Sequence, residues 1–487
     1  MGVRTQIFEV STLYGAATIA AALDAGQFGA EDEARRVLLV SNNAAVPETA
    51  AALPEMTGWD RIATRFDRVI DWNDTIRPHH PSDWGPPDRD APVWERLLRR
   101  YWDLGDGPVE LAVESVHAKP AAALAVIFAD ADIHVYADGL MSYGPTRDRL
   151  PQDTAIRIQR LLHLDLVPGL EPLLLAEHRV PSEVVPGDAF RAVLDEISAA
   201  HTPPDALAGA SSPGGGAGEQ ARDGEATRDG EATRDEEAGE AGRQAPVAVL
   251  LGQYLAALDI LTTEEEEALH ERMLRGAAAA GFRSAVFKPH PTAPAQYSKA
   301  LEKAAADAGV RLTVLDTPML AETVFHHYRP GLVVGCFSTA MLTASAYYEV
   351  PIARVGTGLL MERITPYQNS NRIPLTIVDA LVPDLEERRA GEAVTALPGA
   401  AERIAPLVRT VGYCMQAKTN PWLRGEAEQW LEHHLNETTW RYFKRARLTA
   451  LALPGGFASQ ITRQLPGGGT AIRFARKVRK ATLRNKK

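Results

Sequence analysis

Short, largely apolar runs alternate with amphipathic stretches along most of the chain. In the first half, residues 6–10 precede a helical stretch at 15–25, residues 37–41 follow, residues 109–114 precede a helical stretch at 120–128, and residues 133–137 close the series. Apolar runs of this length predict strands buried on both faces, and the helical patterns between them predict crossovers. The reading is a parallel, doubly wound sheet.

The same rhythm returns after residue 245. Strands are predicted at 246–251, 284–288, 312–315, 331–334 and 352–354, with helices at 263–280, 294–308 and 339–348. Between the halves, residues 201–244 carry Ser211-Ser212-Pro213-Gly214-Gly215-Gly216 and a six-residue repeat starting at Arg222, Arg228 and Arg234. Such sequence buries too little apolar surface to offset its ordering entropy, so it reads as a disordered acidic linker. The expected fold class is α/β, with two facing Rossmann-like domains of parallel strands: 1–200, the linker 201–245, 246–398, closing helices at 399–440 and a basic tail at 441–487. Trp422, Trp430 and Trp440 read as packing residues of the closing helices.

The length of 487 residues and 45% hydrophobic content fit two cores rather than one. Cys336 and Cys414 are the two cysteines, which provides no disulfide framework or cysteine metal site and fits a reducing compartment. The N-terminus lacks the uninterrupted apolar core of a secretory signal, and no apolar run reaches spanning length, so a cytoplasmic enzyme is expected.

Charge is unevenly divided. Residues 441–487 hold 13 Lys or Arg and no acid, which leaves 39 basic against 63 acidic side chains in residues 1–440. The acidic body disfavours nucleic acid as a partner. The tail, with Arg473, Arg476, Lys477, Arg479, Lys480 and Arg484 among apolar residues, has the composition of a segment that lies on an anionic membrane surface, and equally that of a solubilising tail. The first alternative makes the protein peripheral on the membrane's inner face.

Three motifs carry the candidate chemistry. Lys288-Pro289-His290-Pro291 follows a strand, and prolines flanking His290 restrict its backbone, so a cation that can also give a proton stands beside the lysine charge. Gly335-Cys336-Phe337-Ser338-Thr339 reads as a strand, a tight glycine turn and a helix start, where backbone N–H groups and hydroxyls favour an anion; an ordinary N-cap is the competing reading. Asp138-Gly139 ends a strand in the first half and suits a base for a hydroxyl, or else a plain turn.

Lesser candidates are Gly252 and Gln253 beside a nucleotide, and Asn42 and Asn43 beside sugar hydroxyls. His79, His80, His326 and His327 read as surface or loop histidines. Asp130-Ala131-Asp132 imitates a metal motif but reads as a helix-to-strand connection, and no metal site is expected.

In their order, the carboxylate-Gly, His-Pro and Ser-Thr motifs make the chain resemble the bacterial sialyltransferases and polysialyltransferases of GT-B fold. The stretch Asp138-Gly139-Leu140-Met141-Ser142-Tyr143-Gly144-Pro145 and Lys288-Pro289-His290-Pro291 carry the resemblance most specifically, and it spans residues 1–200 and 245–395. It implies inverting transfer of a sialic-acid-like sugar from a CMP-sugar to a glycan or glycolipid hydroxyl, with or without polymerisation, and with no metal or cofactor. Asp138 would be the base and His290 the acid, with Lys288, Pro291, Gly335, Ser338, Thr339, Gly252 and Gln253 around CMP. The family places an acid at the position of Ala137, and its absence moves the base role to Asp138, with Glu114 the next carboxylate. A Kdo- or Kdn-type transferase and a non-catalytic sugar-binding protein are the alternatives.

Overall fold

The computed structural model describes residues 3–44, 47, 50–201, 246–289, 297–315, 317–387 and 399–457. Twelve strands occur among them: β1 Thr5–Val10, β2 Arg35–Val40, β3 Arg68–Asp71, β4 Val109–Val113, β5 Asp132–Ala137, β6 Ile158–Leu164, β7 Ser182–Val185, β8 Val247–Leu251, β9 Ser284–Lys288, β10 Arg311–Val314, β11 Leu332–Gly335 and β12 Ile352–Arg354. They form one sheet in the order β3-β2-β1-β4-β5-β6-β7 and a second in the order β10-β9-β8-β11-β12. Neighbouring strands in both sheets run parallel.

This is the expected two-sheet α/β architecture. Strand order reverses between β1 and β4 in the first sheet and between β8 and β11 in the second. At such a reversal the crossovers depart to opposite faces, which opens a crevice beyond the carboxyl ends of the strands. The candidate site motifs, Asn42-Asn43, Asp138-Gly139, Gly252-Gln253, Lys288–Pro291 and Gly335–Thr339, lie at or just after the ends of β2, β5, β8, β9 and β11, so their described members lie on these carboxyl edges.

Side-chain alternation sorts the first sheet's faces. Phe8, Val10, Ala112 and Tyr136 join a core that continues into the second sheet, whereas Ile7, Leu111, Val113, Ile133 and Val135 join a separate core on the outer face. The helix Leu13–Asp24 is buried along nearly its whole length in the inner core, and Thr12 caps it by accepting from the Gly15 amide at 2.9 Å. Helix Gly187–Ala199 packs on helix Ala321–Tyr328 of the second half. There His326 Nδ1 lies 2.9 Å from Asp195 Oδ1 and His327 Nε2 3.0 Å from the Ser198 carbonyl. These histidines hold the two halves together.

Helix Ala400–Met415 returns across the molecule. A Cβ at Gly412 would stand 2.7 Å from Leu173 Cδ1, and Gln416 Nε2 donates to the Arg147 carbonyl at 2.5 Å. Trp430 stacks on His434 and Trp440 faces Arg445, while Trp422 is exposed.

The basic tail begins later than residue 441. Residues 441–457 fold onto the second half: the Tyr442 hydroxyl donates to Asp379 Oδ2 at 2.8 Å, Arg447 donates to the carbonyls of Cys414 and Met415, and Leu448 and Leu453 are fully buried. Arg445 and Arg447 sit on a short helix, Arg445–Leu451, whose apolar positions find a core. Residues 458–487 and the linker stretch 202–245 lie outside the described residues.

Candidate active site

The first sheet contributes carboxyls. Glu9 lies near the end of β1, Glu114 follows β4 and Asp138 follows β5, so all three stand on the carboxyl edge at or beside the strand-order reversal. Ala137 packs against the outer core, and alternation turns Asp138 the other way, toward the helix Leu13–Asp24. Thr12 Oγ1, the Tyr136 hydroxyl and Asp138 Oδ2 gather 3.1, 3.1 and 3.3 Å from the point that a Cβ on Gly15 would occupy. Glycine at 15 leaves room for this cluster. Ser41 Oγ donates to Glu9 Oε1 and Ser11 Oγ to Glu114 Oε2, each at 3.1 Å, and the Tyr136 hydroxyl donates to the Glu9 carbonyl at 3.0 Å.

The second sheet contributes the opposite wall. Ser338 is the N-cap of helix Thr339–Tyr348, with extended backbone and no side-chain cap bond, so its hydroxyl is not spent on the helix start. Gln253 Oε1 accepts from the Phe337 amide at 2.7 Å and thereby fixes the turn leading into the helix. The Gly252 amide donates to the Lys288 carbonyl at 2.9 Å, which ties the end of β8 to the end of β9. A Cβ at Gly335 would stand 2.7 Å from Met341 Sδ, so the glycine lets the helix sit close over the strand end. Lys288 is 5% exposed, at the end of β9.

The two walls touch. The Tyr14 hydroxyl lies 2.8 Å from Thr343 Oγ1, and a Cβ on Gly139 would stand 3.1 Å from Thr339 Oγ1. The sequence therefore placed Asp138-Gly139 and Ser338-Thr339 on two facing edges that the fold brings together. Gly252, Gln253 and Lys288 stand behind the second edge. His290 and Pro291 lie outside the described residues.

Asn42 stands elsewhere in role: its amide nitrogen donates to the Pro47 carbonyl and its carbonyl oxygen accepts from the Ala44 amide, so the side chain shapes its own loop, while Asn43 is exposed. His80 Nε2 lies 2.9 Å from the Ala44 carbonyl and His79 stacks on Trp84. Among the described residues no group of three or more His, Cys, Asp or Glu could hold a metal ion.

Glu9 and Glu322 went unread in the sequence. Glu322 is 2% exposed in the first turn of helix Ala321–Tyr328, with Oε1 buried and without a hydrogen-bond partner. Burial pushes its pKa up to about 7, against the favourable effects of its own backbone amide, the Thr343 hydroxyl and the Lys288 charge. Burial and then the neighbouring Glu114 charge push Asp138 up to about 8, and burial with the same neighbour pushes Glu9 up to about 8. Burial also raises Glu114. A glutamate inside an otherwise apolar strand run was the available signal for Glu9.

These raised values carry a sign for stability. Unfolded carboxyls lose their protons near pH 4, whereas the folded chain keeps them on Glu9, Asp138 and Glu322 until about pH 7–8. The folded state binds the extra protons across that window, so stability is greatest at its acid end and falls as pH rises through it. The thermal midpoint is expected to drop between about pH 5.5 and about pH 8.5, and Glu9→Gln to flatten the drop by stabilising the alkaline form by about 1–3 kcal/mol. Calorimetric scans at both pH values measure this, and a wild-type midpoint that climbs over the interval contradicts it.

Two doubly wound parallel sheets with facing carboxyl edges, one acidic and one built on a helix N-terminus, make up a fold of GT-B type. The alpha-2,8-polysialyltransferase family model matches residues 6–357, and the chain belongs to that family. It is accordingly a glycosyltransferase. Among solved structures, the sialyltransferase from Photobacterium damsela is similar with 10% identity and a TM-score of 0.38, over 77% of this chain and 78% of that one. The GT-B domain of the sialyltransferase from the same organism gives 11% identity and a TM-score of 0.37, over 76% and 95%. MurG from Acinetobacter baumannii gives 10% identity and a TM-score of 0.36, over 86% and 95%. No curated protein matches the sequence.

Proposed function

We propose that the protein is an inverting transferase that moves a sialic-acid-like sugar from a CMP-sugar to a glycan hydroxyl. The observation that carries this reading is the approach of Gly139 to Thr339, which sets Asp138 beside the open N-terminus of helix Thr339–Tyr348. A base for the acceptor and donors for a departing phosphate then face each other across one reacting bond. The acceptor proton passes to Asp138 as the acceptor oxygen bonds the anomeric carbon. The bond from that carbon to the phosphate oxygen breaks, and its electron pair leaves with CMP.

Ser338, Thr339 and the first helical amides stabilise the phosphate charge that develops. Lys288 adds a cation at the end of β9, and His290 protonates the leaving phosphate. Glu322, buried beside Lys288 and Thr343, offers a carboxyl oxygen to a hydroxyl of the bound donor. Gln253, Gly252 and Gly335 act by holding the turn, and Asn43 remains the exposed candidate for sugar contact on the first sheet. No described helix is long and apolar enough to cross a membrane, and we place the enzyme in the cytoplasm with residues 458–487 as its contact to an anionic membrane face.

Thermal shift and titration with CMP, UDP and GDP test the donor, with CMP expected to give the largest stabilisation. Preference for UDP would end the CMP-sugar reading. Release of CMP on mixing acceptor with CMP-sialic acid, CMP-Kdo or CMP-Kdn then names the sugar, and a binding protein would release none.

A further inference from the structure

We propose that Glu114 is a positioning residue for the transfer step: Glu114 and Asp138 form a carboxyl pair that holds one proton between them, and Glu114 thereby sets when Asp138 is free to take the acceptor proton. The proposal rests on the transferase reading above and adds a residue to it.

Strand geometry brings the pair together. β4 and β5 are adjacent and parallel, with Val113 paired to Val135, so Glu114 stands level with Tyr136 and close to the strand end that carries Asp138. Alternation sends Ala112 and Tyr136 to the inner core, and it sends Glu114 and Asp138 to that same face, toward the cleft.

Glu114 is also held in place from two sides. Its Oε2 accepts from Ser11 Oγ, and its backbone amide donates to the Glu9 carboxyl, which is itself fixed by Ser41 Oγ. The first bond fixes the carboxylate and the second its backbone, and a charge that tunes another group needs such a fixed place.

The charges around the pair favour sharing. Facing it are Glu9 from β1, Tyr136 from β5 and Tyr14 from helix Leu13–Asp24, with Glu322 and Lys288 across the cleft beyond Thr343. Burial, hydroxyl donors from Ser11 and Thr12, and the Glu114 charge itself act on Glu114 and Asp138. Two neighbouring half-buried carboxyls do not both ionise readily, and the first proton stays with the pair. When that proton resides on Glu114, Asp138 is ionised and accepts the acceptor proton. When it resides on Asp138, the step waits. Burial of both groups, and the effect of the Glu114 charge on Asp138, agree with this arrangement.

The test compares wild type, Glu114→Gln, Glu114→Asp and Asp138→Asn by two measurements on the full chain. Infrared difference spectra across a pH titration follow the protonated carboxyl band without any substrate. Rates of CMP release from CMP-sialic acid with a sialylated acceptor, measured against pH, follow turnover. In Glu114→Gln both the band attributable to Asp138 and the acid limb of kcat/KM are expected to move to lower pH by about one unit or more, with KM for the donor unchanged and Glu114→Asp restoring the wild-type profile. A merely structural Glu114 would lower the rate at every pH and leave the limb in place, which overturns the proposal. If Glu114→Gln does not fold, wild type and Asp138→Asn decide: a carboxyl titration that Asp138→Asn leaves unchanged overturns the pair. A band that shifts as expected in a chain that releases no CMP from any CMP-sugar refutes the transferase reading instead, and the catalytic role of the pair with it.

Discussion

Asp138→Asn is expected to slow acceptor-dependent CMP release by about 10²–10⁴-fold, the range for removing a general base, while affinity for CMP stays within about twofold. The substitution is nearly isosteric, and the Thr12 hydroxyl that bonds the carboxyl has an oxygen to bond in the amide as well. Folding has little to lose. The variant also removes one of three buried carboxyls that hold protons in the folded chain, so its thermal midpoint at about pH 8 should equal or exceed that of wild type. The nucleotide wall, built from β8, β9, β11 and helix Thr339–Tyr348, takes no atom from residue 138, and CMP titration calorimetry should show it intact. Steady-state CMP release and calorimetry on the same preparation separate the two effects. Turnover that survives in the variant would pass the base role to Glu114, whereas loss of CMP affinity would mean that Asp138 shapes the donor site.

Much of this architecture was legible because the central strands announce themselves. β1, β8, β9 and β11 are apolar enough to be read as runs buried on both faces, and each is followed by a helix with its own period, so the two-sheet order followed from the sequence. The strands that went unread sit toward the ends of the first sheet. β3 (Arg68–Asp71) and β7 (Ser182–Val185) are short, with charged or polar residues at exposed positions, and β6 carries Arg160 and His163 within its span. Arg160 is tolerated there because it reaches Glu183 on β7 at 2.7 Å, a pairing that no local pattern reveals.

The site divides along the same line. Asp138-Gly139, Lys288-Pro289 and Ser338-Thr339 are contiguous motifs that a reader of the chain can see. Glu9 becomes a neighbour of the site through the pairing of β1 with β4, and Tyr14, Glu322 and Thr343 through contact between helix Leu13–Asp24 and the second half, separated by some three hundred residues. Asn42 shows the opposite relation, since its side chain bonds the Pro47 carbonyl and the Ala44 amide of its own loop, which the motif does not reveal. Residues 441–447 misled because their charge dominates a composition count, while the apolar positions that anchor them, Leu448 and Leu453, come just after.

Contact between the walls gives the second large expected effect. Gly139 has φ −138° and ψ 178°, an extended conformation open to any residue, so the backbone does not demand glycine there. The demand comes from across the cleft, where Thr339 Oγ1 stands 3.1 Å from the position of a Cβ and Thr339 Cγ2 at 4.0 Å. Alanine would press on the hydroxyl. Valine, with two further carbons on that Cβ, would push the acidic edge away from the helix N-terminus. Displacement of a reacting group by about 1 Å can cost on the order of 10² in rate, so Gly139→Val should lower kcat by about that factor and Gly139→Ala by less. Thr339→Ala removes the obstructing atoms and also a phosphate donor, so alone it should slow turnover. Combined with Gly139→Val it should return part of the activity that valine takes away. Rates for the two single variants and the double variant form a cycle whose coupling term measures the contact. Strictly additive losses would show that Gly139 and Thr339 do not meet in the form of the enzyme that turns over, and the closed arrangement of the two sheets would then be a resting state.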